Sequence, residues 1–216
     1  VGLSSIHWRE AWKYGERAFR YCQHDIGHAW AALAISASML GWKLQILNTI
    51  SDEAIAQLLG LNRFNDFEKE EKETADILAV IIPSNDKLKP GQSLKQEAIQ
   101  KIANGKWFGK ANKLNEEYFP WEIIDIVSDA CEEKKSDCDS EKPSPLLFSD
   151  THPVPFDYVK QERKNTLLAG QIIRQRRSAV AMDGVTTITK TQFYEMLSRV
   201  VPVKGLFLWD NIAQKP

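Results

Sequence analysis

Two histidines and an aspartate with metal-ligand spacing stand between residues 21 and 40. His24, Asp25 and His28 form an H-D-x-x-H pattern, one methylene short of the zinc-binding H-E-x-x-H pattern. On a helix this spacing puts both imidazoles on one face, where they could bind one Zn²⁺. Asp25 also fits the N-cap of a helix, which would leave His24 outside that helix, and Gly27 weakens a helix at this point. We therefore expect a capped helix start here and no metal site.

A second candidate site is a cluster of cations around residue 176. Arg174, Arg176, Arg177 and Ser178 are predicted to lie at the end of a helix or in the turn after it. Guanidinium groups offer paired donors to phosphate oxygens and a hydroxyl adds one more, so the cluster suits a phosphate monoester. The alternative is a solvated basic helix end that interacts favourably with the helix dipole. A Gly-rich phosphate loop is absent from the sequence, so neither a P-loop nor a dinucleotide fingerprint is supported.

The elements that would position these groups follow from the apolar pattern. A helix that is apolar nearly all the way round is predicted from Ile26 to Leu40, and such a helix belongs in the interior. Next come a short strand in "WKLQIL", a turn at Asn48–Thr49 and a helix opened by Ser51 and Asp52. The run "ADILAVIIP" is continuous and β-branched, which predicts a strand covered on both faces. This alternation indicates a mixed α/β or α+β fold.

The rest of the chain is predicted to be helical around one linker. Helices are expected over about Ser93–Ala103 and in "WEIIDIVSDACEE", while the charged run "DFEKEEKE" is predicted to be a solvated loop or helix face. A proline-bearing, charged stretch follows and predicts a linker. Two further helices, "LLAGQIIRQRRSAV" and "TKTQFYEMLSRVVP", flank a turn at Gly184, and Thr189 is the expected cap of the second.

Composition narrows the classes of partner. The 216 residues carry 28 Lys and Arg against 29 Asp and Glu, so no basic excess predicts a nucleic-acid partner. No apolar run reaches the ~20 residues of a membrane span. Three cysteines without a C-x-x-C pair indicate a reducing compartment such as the cytoplasm. The sequence starts at Val1 and stops at "NIAQKP", so we expect a piece of a longer protein.

Both clusters resemble segments of one enzyme family. "RRSA", "MDG" and the helix "TQFYEML" resemble the entry segment of the flavin-dependent nitroreductase superfamily, which reads R-R-S-x-R, a short turn and a helix. "WREAWKYGERAFRYCQHDIGHAWAALAISASMLGW" resembles a later segment of that superfamily. It is most similar to the SagB-type dehydrogenase branch, which includes thiazoline and oxazoline oxidases. There an aromatic-basic stretch leads into D-x-G-H and a buried alanine-rich helix.

The order of these segments is reversed relative to a single nitroreductase domain. The resemblance therefore implies two tandem units: residues 1–135 as the tail of a first unit, 136–160 as the linker, and 161–216 as the head of a second. It implies an α+β nitroreductase-like fold, with a mixed sheet flanked by helices and a buried central helix. It also implies pairing, either as a homodimer or between tandem domains, because such enzymes bind FMN at a subunit interface.

The implied activity is an FMN-dependent oxidoreductase that passes hydride between a small-molecule substrate, or NADH or NADPH, and the flavin. The resemblance assigns the FMN phosphate and ribityl chain to Arg176, Arg177 and Ser178. It places Asn48 and Thr49 beside the flavin ring, and Tyr14, Arg17 and His28 near the cofactor or the interface. No catalytic acid or base stands out. A further family Arg is Val180 here, which favours the alternative of a degenerate nitroreductase-like module with a binding or assembly role.

Overall fold

The computed structural model describes residues 1–47, 50–63, 71–83, 94–109, 111, 113–114, 119–132 and 167–200. The chain divides into two compact units. One, here called the sheet unit, is Val1–Pro145 with Phe207–Pro216, and the other, the helical unit, is Leu146–Leu206. The predicted turn at Asn48–Thr49 and the predicted linker at 136–160 lie outside the described residues.

A three-stranded antiparallel sheet organises the described part of the sheet unit. Its strands are β1 (Gly2–Ser5), β2 (Lys43–Ile46) and β3 (Thr74–Ile82), in the order β1-β3-β2. The predicted strands in "WKLQIL" and "ADILAVIIP" are confirmed as β2 and β3. Strand β1 was not predicted, because "GLSS" has little β propensity and depends on its partner β3 for its hydrogen bonds.

Helices cover both faces of β3, as its unbroken apolar run predicts. On one face, Leu78 and Val80 pack with residues of helices α3 (Asp52–Leu59) and α4 (Gln96–Ala103). On the other face, Ile77 and Ala79 pack with Trp30 and Ala34 of helix α2 (Ala18–Met39). The remaining helices of this unit are α1 (His7–Tyr14), a 3₁₀ turn (Gly15–Arg17) and α5 (Glu122–Ala130). The described residues are therefore an α+β arrangement.

Helix α2 differs from its prediction at both its start and its surface. It begins at Ala18 rather than Ile26. Helix α1 ends just before Gly15, where φ is +58°, and no helix-breaking residue between Ala18 and Ile26 delays the start of the next helix. Asp25 consequently lies inside the helix, and the prediction that it caps the helix is wrong. Burial is confined to one stripe, so the prediction of a helix buried all round is also wrong. The stripe consists of Ala18, Cys22, Ile26, Trp30, Ala34 and Ala37, while Met39 is exposed.

The capping predictions elsewhere are confirmed. Ser51 Oγ accepts a hydrogen bond from the Ala54 backbone N–H at 3.3 Å and starts α3. In the helical unit, Thr189 Oγ1 accepts from the Gln192 N–H at 3.2 Å and starts α7 (Lys190–Val200). The other helix of that unit is α6 (Ala169–Gln175). Among residues 167–200 only Ser198 is buried. No helix in the described ranges has the length and apolarity needed to cross a membrane.

Candidate functional site

Three of the predicted cofactor residues lie on one exposed surface at the start of α2. Arg17, Tyr21, His24 and His28 follow one another at spacings of three and four, so they share a face of the helix. The Tyr14 ring stacks on that of Tyr21, with centroids 4.2 Å apart and planes 25° apart. We name these five residues the α2 strip. The strip combines exposed aromatic rings with cationic and titratable side chains, which suits a planar, anionic ligand.

His24 and His28 of the H-D-x-x-H pattern belong to this strip, and the pattern does not form a closed site. His28 Nδ1 lies 3.8 Å from Asp25 Oδ1, and both side chains are exposed. Within the described residues, no group of three or more His, Cys, Asp and Glu side chains is placed to hold a metal ion. The prediction that no zinc binds here loses its capping argument, since Asp25 is mid-helix, and now rests on the exposure of both imidazoles.

The arginine cluster lies at the end of α6 and just after it, as the sequence predicted: Arg174 is in the last turn, and the other members follow the helix. The helix itself ends at Gln175, whereas the sequence predicted that it continues to Val180. Arg176 and Ser178 are exposed. Arg177 is turned back on its own backbone, because its Nη1 donates to the Arg174 carbonyl at 2.9 Å and to the Arg176 carbonyl at 2.7 Å. One of its donor groups is thus already engaged. The Val180 side chain is fully exposed.

The remaining predicted residues do not complete one site. Asn48 and Thr49 lie outside the described residues. The α2 strip belongs to the sheet unit and Arg176, Arg177 and Ser178 belong to the helical unit. Each unit therefore carries part of the predicted set, with the ring-binding candidates in one and the phosphate-binding candidates in the other.

A buried polar cluster beneath α1 and α2 escaped the sequence analysis. It is formed by Ser5, His7, Cys22 and Asp76, which come from β1, α1, α2 and β3. Asp76 Oδ1 accepts from Gln23 Nε2 at 2.9 Å, whereas the buried Asp76 Oδ2 has no hydrogen-bond partner. Only the fold joins residues so distant in sequence. The one local signal was a histidine inside an otherwise aromatic and basic helix.

Burial sets the protonation of this cluster. Desolvation lowers the pKa of His7 from its ordinary value of 6.5, against the opposing charges of Asp76 and Asp125. Desolvation raises the pKa of Asp76, although hydrogen bonds from Ser5 and Gln23 oppose the change. Burial likewise raises the pKa of Cys22 to about 11. The thiol is therefore protonated near neutral pH and is a poor nucleophile.

A buried ion pair lies near this cluster and corrects one further prediction. Glu71, from the run predicted to be solvated, is only 3% exposed and pairs with Arg9, Nη2 to Oε2, at 2.6 Å. Glu71 Oε1 also accepts from the Leu114 backbone N–H at 2.5 Å. The charged run "DFEKEEKE" does not indicate which of its residues is buried, because the partner Arg9 is remote in sequence.

A small cleft opens beside α1, with a volume of about 30 Å³. Its lining consists of His7, Trp8, Ala11, Lys72, Thr74, Phe119, Trp121, Ile124 and Asp125. A space of this size holds a water molecule or a small polar head group. This cleft cannot enclose the three-ring system of a flavin.

No protein-family model, curated protein or solved structure matches this chain. The resemblance to the nitroreductase superfamily therefore rests on the sequence motifs around residues 8–42 and 176–197. The flavin chemistry that it implies stays a prediction.

Proposed function

We propose that this chain is part of an FMN-dependent oxidoreductase in which a small-molecule substrate exchanges hydride with bound flavin. The observation that carries the proposal is the α2 strip, where Tyr14, Arg17 and His28 of the implied cofactor set share an exposed surface with the Tyr14–Tyr21 stack. An aromatic ring face and a nearby cation are the groups that bind a planar anionic cofactor in the open.

The donor set of the helical unit fits the phosphate end of FMN. The guanidinium of Arg176 and the hydroxyl of Ser178 are exposed, and Arg177 keeps Nε and Nη2 beyond the Nη1 that bonds its own backbone. These are the charge-assisted donors that a phosphate monoester prefers. In the family that the sequence resembles, FMN binds at a subunit interface, so the proposal includes a second nitroreductase-like unit or a second copy of the chain.

When bound, FMN supplies the two-electron carrier, and NADH or NADPH is the proposed hydride source. The residues of this chain would bind and orient the FMN. The tyrosine stack would offer a ring face, Arg17 would favour negative charge near it, and Arg176, Arg177 and Ser178 would anchor the phosphate. No described residue in either set is placed in a closed, water-free environment, so exclusion of water falls to the partner surface.

A second candidate function is a degenerate nitroreductase-like module that serves in binding or assembly. Two observations favour it. Val180 occupies the position where the family has a further arginine. In addition, Arg177 Nη1 already donates to the backbone carbonyls of Arg174 and Arg176. Fewer donors then remain for a phosphate.

The test is a titration of the intact protein with FMN, followed by quenching of flavin fluorescence at two salt concentrations. Arg177→Ala should weaken FMN binding about tenfold to a hundredfold, because one charge-assisted hydrogen bond contributes about 1.5–3 kcal/mol. Arg199→Ala is the matched control, since it removes the same charge from the end of the other helix of this unit, α7, outside the arginine cluster. Riboflavin, which lacks the phosphate, should bind wild type and Arg177→Ala equally weakly.

The outcomes separate the two candidates. Tight FMN binding that Arg177→Ala weakens and Arg199→Ala leaves within twofold supports the oxidoreductase, as does NADH or NADPH oxidation that needs added FMN. Equal affinity of both variants would reduce the cluster to a solvated helix end. If no form of the protein binds FMN, the enzyme proposal is wrong and the binding module replaces it.

A further inference from the structure

A buried imidazole is part of the lining of the cleft beside α1. His7 is only 7% exposed, its Nε2 is a buried atom without a hydrogen-bond partner, and the residue lines the cleft. An edge-to-face contact with Phe19, at 5.3 Å between centroids, fixes the ring. An unpaired polar atom at such a depth is unfavourable, and a ligand that donates a hydrogen bond to it would remove that cost.

The walls of the cleft are aromatic. Trp8, Phe119 and Trp121 line it together with the aliphatic Ile124. The Phe119 and Trp121 rings meet edge to face, with centroids 5.9 Å apart, and both are partly exposed. Several aromatic rings around one small space attract a cation through their quadrupoles.

The charges around the cleft also favour a cation. Asp125 lines it, and Asp76 acts on His7 from the β3 side. Among the described residues, Lys72 is the one cation of the lining, and its ammonium lies 3.6 Å from the carboxylate of Asp129. Asp125 is thus the anion of the lining, and Asp129 partly offsets the charge of Lys72. The positive end of the α1 dipole opposes this field, but amounts to only about half a charge.

Size and hydrogen bonding select the kind of cation. About 30 Å³ admits a primary ammonium group and excludes a quaternary one, whose methyl groups need several times more room. A neutral imidazole can accept one N–H bond at Nε2 when its proton sits on Nδ1. Burial lowers the pKa of His7, which keeps the ring neutral and able to accept near neutral pH.

We propose that this cleft binds the head group of a primary alkylammonium ligand, with the His7 imidazole and the Asp125 carboxylate as acceptors and the Trp8 and Trp121 rings as walls. The ligand class is an amine with an apolar chain, such as a lysine-like side chain or a monoamine. The site lies wholly within the sheet unit and uses no residue of the α2 strip or the arginine cluster. Its success or failure is therefore independent of the flavin proposal.

The experiment is an NMR titration of the intact protein with n-butylammonium, observed at the ring C–H signals of the four histidines. The His7 signals are assigned by their loss in His7→Gln. n-Butanol has the same chain without the charge, and tetramethylammonium has the charge without N–H donors or a small head. All titrations are run at pH 7.5 and constant ionic strength.

The site is supported if n-butylammonium causes saturable shifts of the His7 signals. The affinities for n-butanol and for tetramethylammonium should each be at least tenfold lower. Asp125→Asn should weaken binding about fivefold, whereas Glu122→Gln, the same charge change on α5 outside the cleft, should change it less than twofold. Lys72→Met should tighten binding about twofold, because it removes the one cation that the described residues contribute to the lining.

Three results would overturn the proposal. The first is equal affinity for n-butylammonium and n-butanol, which would make the cleft merely apolar. The second is equal weakening by Asp125→Asn and Glu122→Gln, which would indicate diffuse surface charge. The third is an absence of any shift at His7 up to concentrations that saturate a millimolar site. The Lys72→Met variant keeps the test decisive if Asp125→Asn folds poorly.

Discussion

Helices α3 and α7 begin with the same kind of cap and end in different environments. Ser51 caps α3 and Thr189 caps α7, each accepting a hydrogen bond from the N–H three residues on. Helix α3 then buries Ala54 and Ile55 in the core against β3. Of helix α7 only Ser198 is buried, and Phe193, Met196 and Leu197 remain exposed. A cap decides where a helix begins, whereas burial decides how much the helix contributes to stability.

The largest expected difference in stability between the sheet unit and the helical unit comes from a charge placed in the core of the sheet unit. Ala34 is 1% exposed on the buried stripe of α2, so Ala34→Asp would bury an unpaired carboxylate. We expect a loss of roughly 3–5 kcal/mol in the free energy of unfolding, enough to abolish soluble expression. Urea denaturation followed by circular dichroism measures the loss.

Two exposed alanines serve as controls for that change. Ala32→Asp lies on the opposite face of the same helix, and Ala179→Asp lies in the helical unit. Each should cost less than about 1 kcal/mol. A soluble, fully folded Ala34→Asp protein would show that α2 is not a core element and would remove the contrast between the units.

An intermediate effect is expected at the buried ion pair. Glu71→Gln would leave the Arg9 guanidinium facing a neutral amide, so we expect a loss of about 2 kcal/mol, reduced from the fully buried case because Arg9 is one-quarter exposed. The control is Asp129→Asn, which removes the exposed pair with Lys72 and should cost at most about 0.5 kcal/mol. Equal losses in the two variants would mean that burial of Glu71 does not matter.

The smallest expected effect on stability is a pH dependence that arises from His7 in the sheet unit. The lowered pKa of His7 means that the unfolded chain binds more protons below pH 6.5, so the free energy of unfolding should fall as the pH drops from 6.5 towards the lowered value. Asp76, with its raised pKa, acts in the opposite sense at lower pH. Urea midpoints at pH 7.5 and pH 6 should differ in wild type and differ less in His7→Gln. An unchanged difference would assign the pH dependence to other groups.

In the described part of the helical unit, the titratable group with a shifted pKa is Asp183, which is exposed, unlike the buried His7 of the sheet unit. Its carboxylate accepts from the Thr186 hydroxyl and from the N–H groups of Val185 and Thr186, which lowers its pKa to about 2. The sign is that of a depressed carboxyl: the turn is fully stabilised above the ordinary value of 3.8 and is lost as the pH falls to about 2. The Val185 and Thr186 amide signals should titrate with that midpoint. A midpoint near 4 would mean that the turn does not form.

The candidate sites were predictable to different extents. The place of Arg176, Arg177 and Ser178 at an exposed helix end followed from local pattern. The shared surface of Arg17 and His28 did not, because the helix was predicted to begin at Ile26 and instead begins at Ala18. The backbone bonds of Arg177 did not follow, because rotamers of a long side chain depend on carbonyls freed at the helix end. The cleft at His7 was not predictable, since it joins α1, β3 and α5 across most of the sheet unit.

The sequence by itself determined the features that depend on neighbours along the chain. These are the β3 strand, the caps at Ser51 and Thr189 and the turn at Gly184, each decided by residues within a few positions. Only the tertiary structure decided that "GLSS" pairs as a strand, that one stripe of α2 is buried, and that Glu71 leaves solvent for Arg9. Those outcomes depend on hydrogen-bond partners and apolar surfaces supplied by distant segments, whose free energy exceeds the local preferences that the sequence displays.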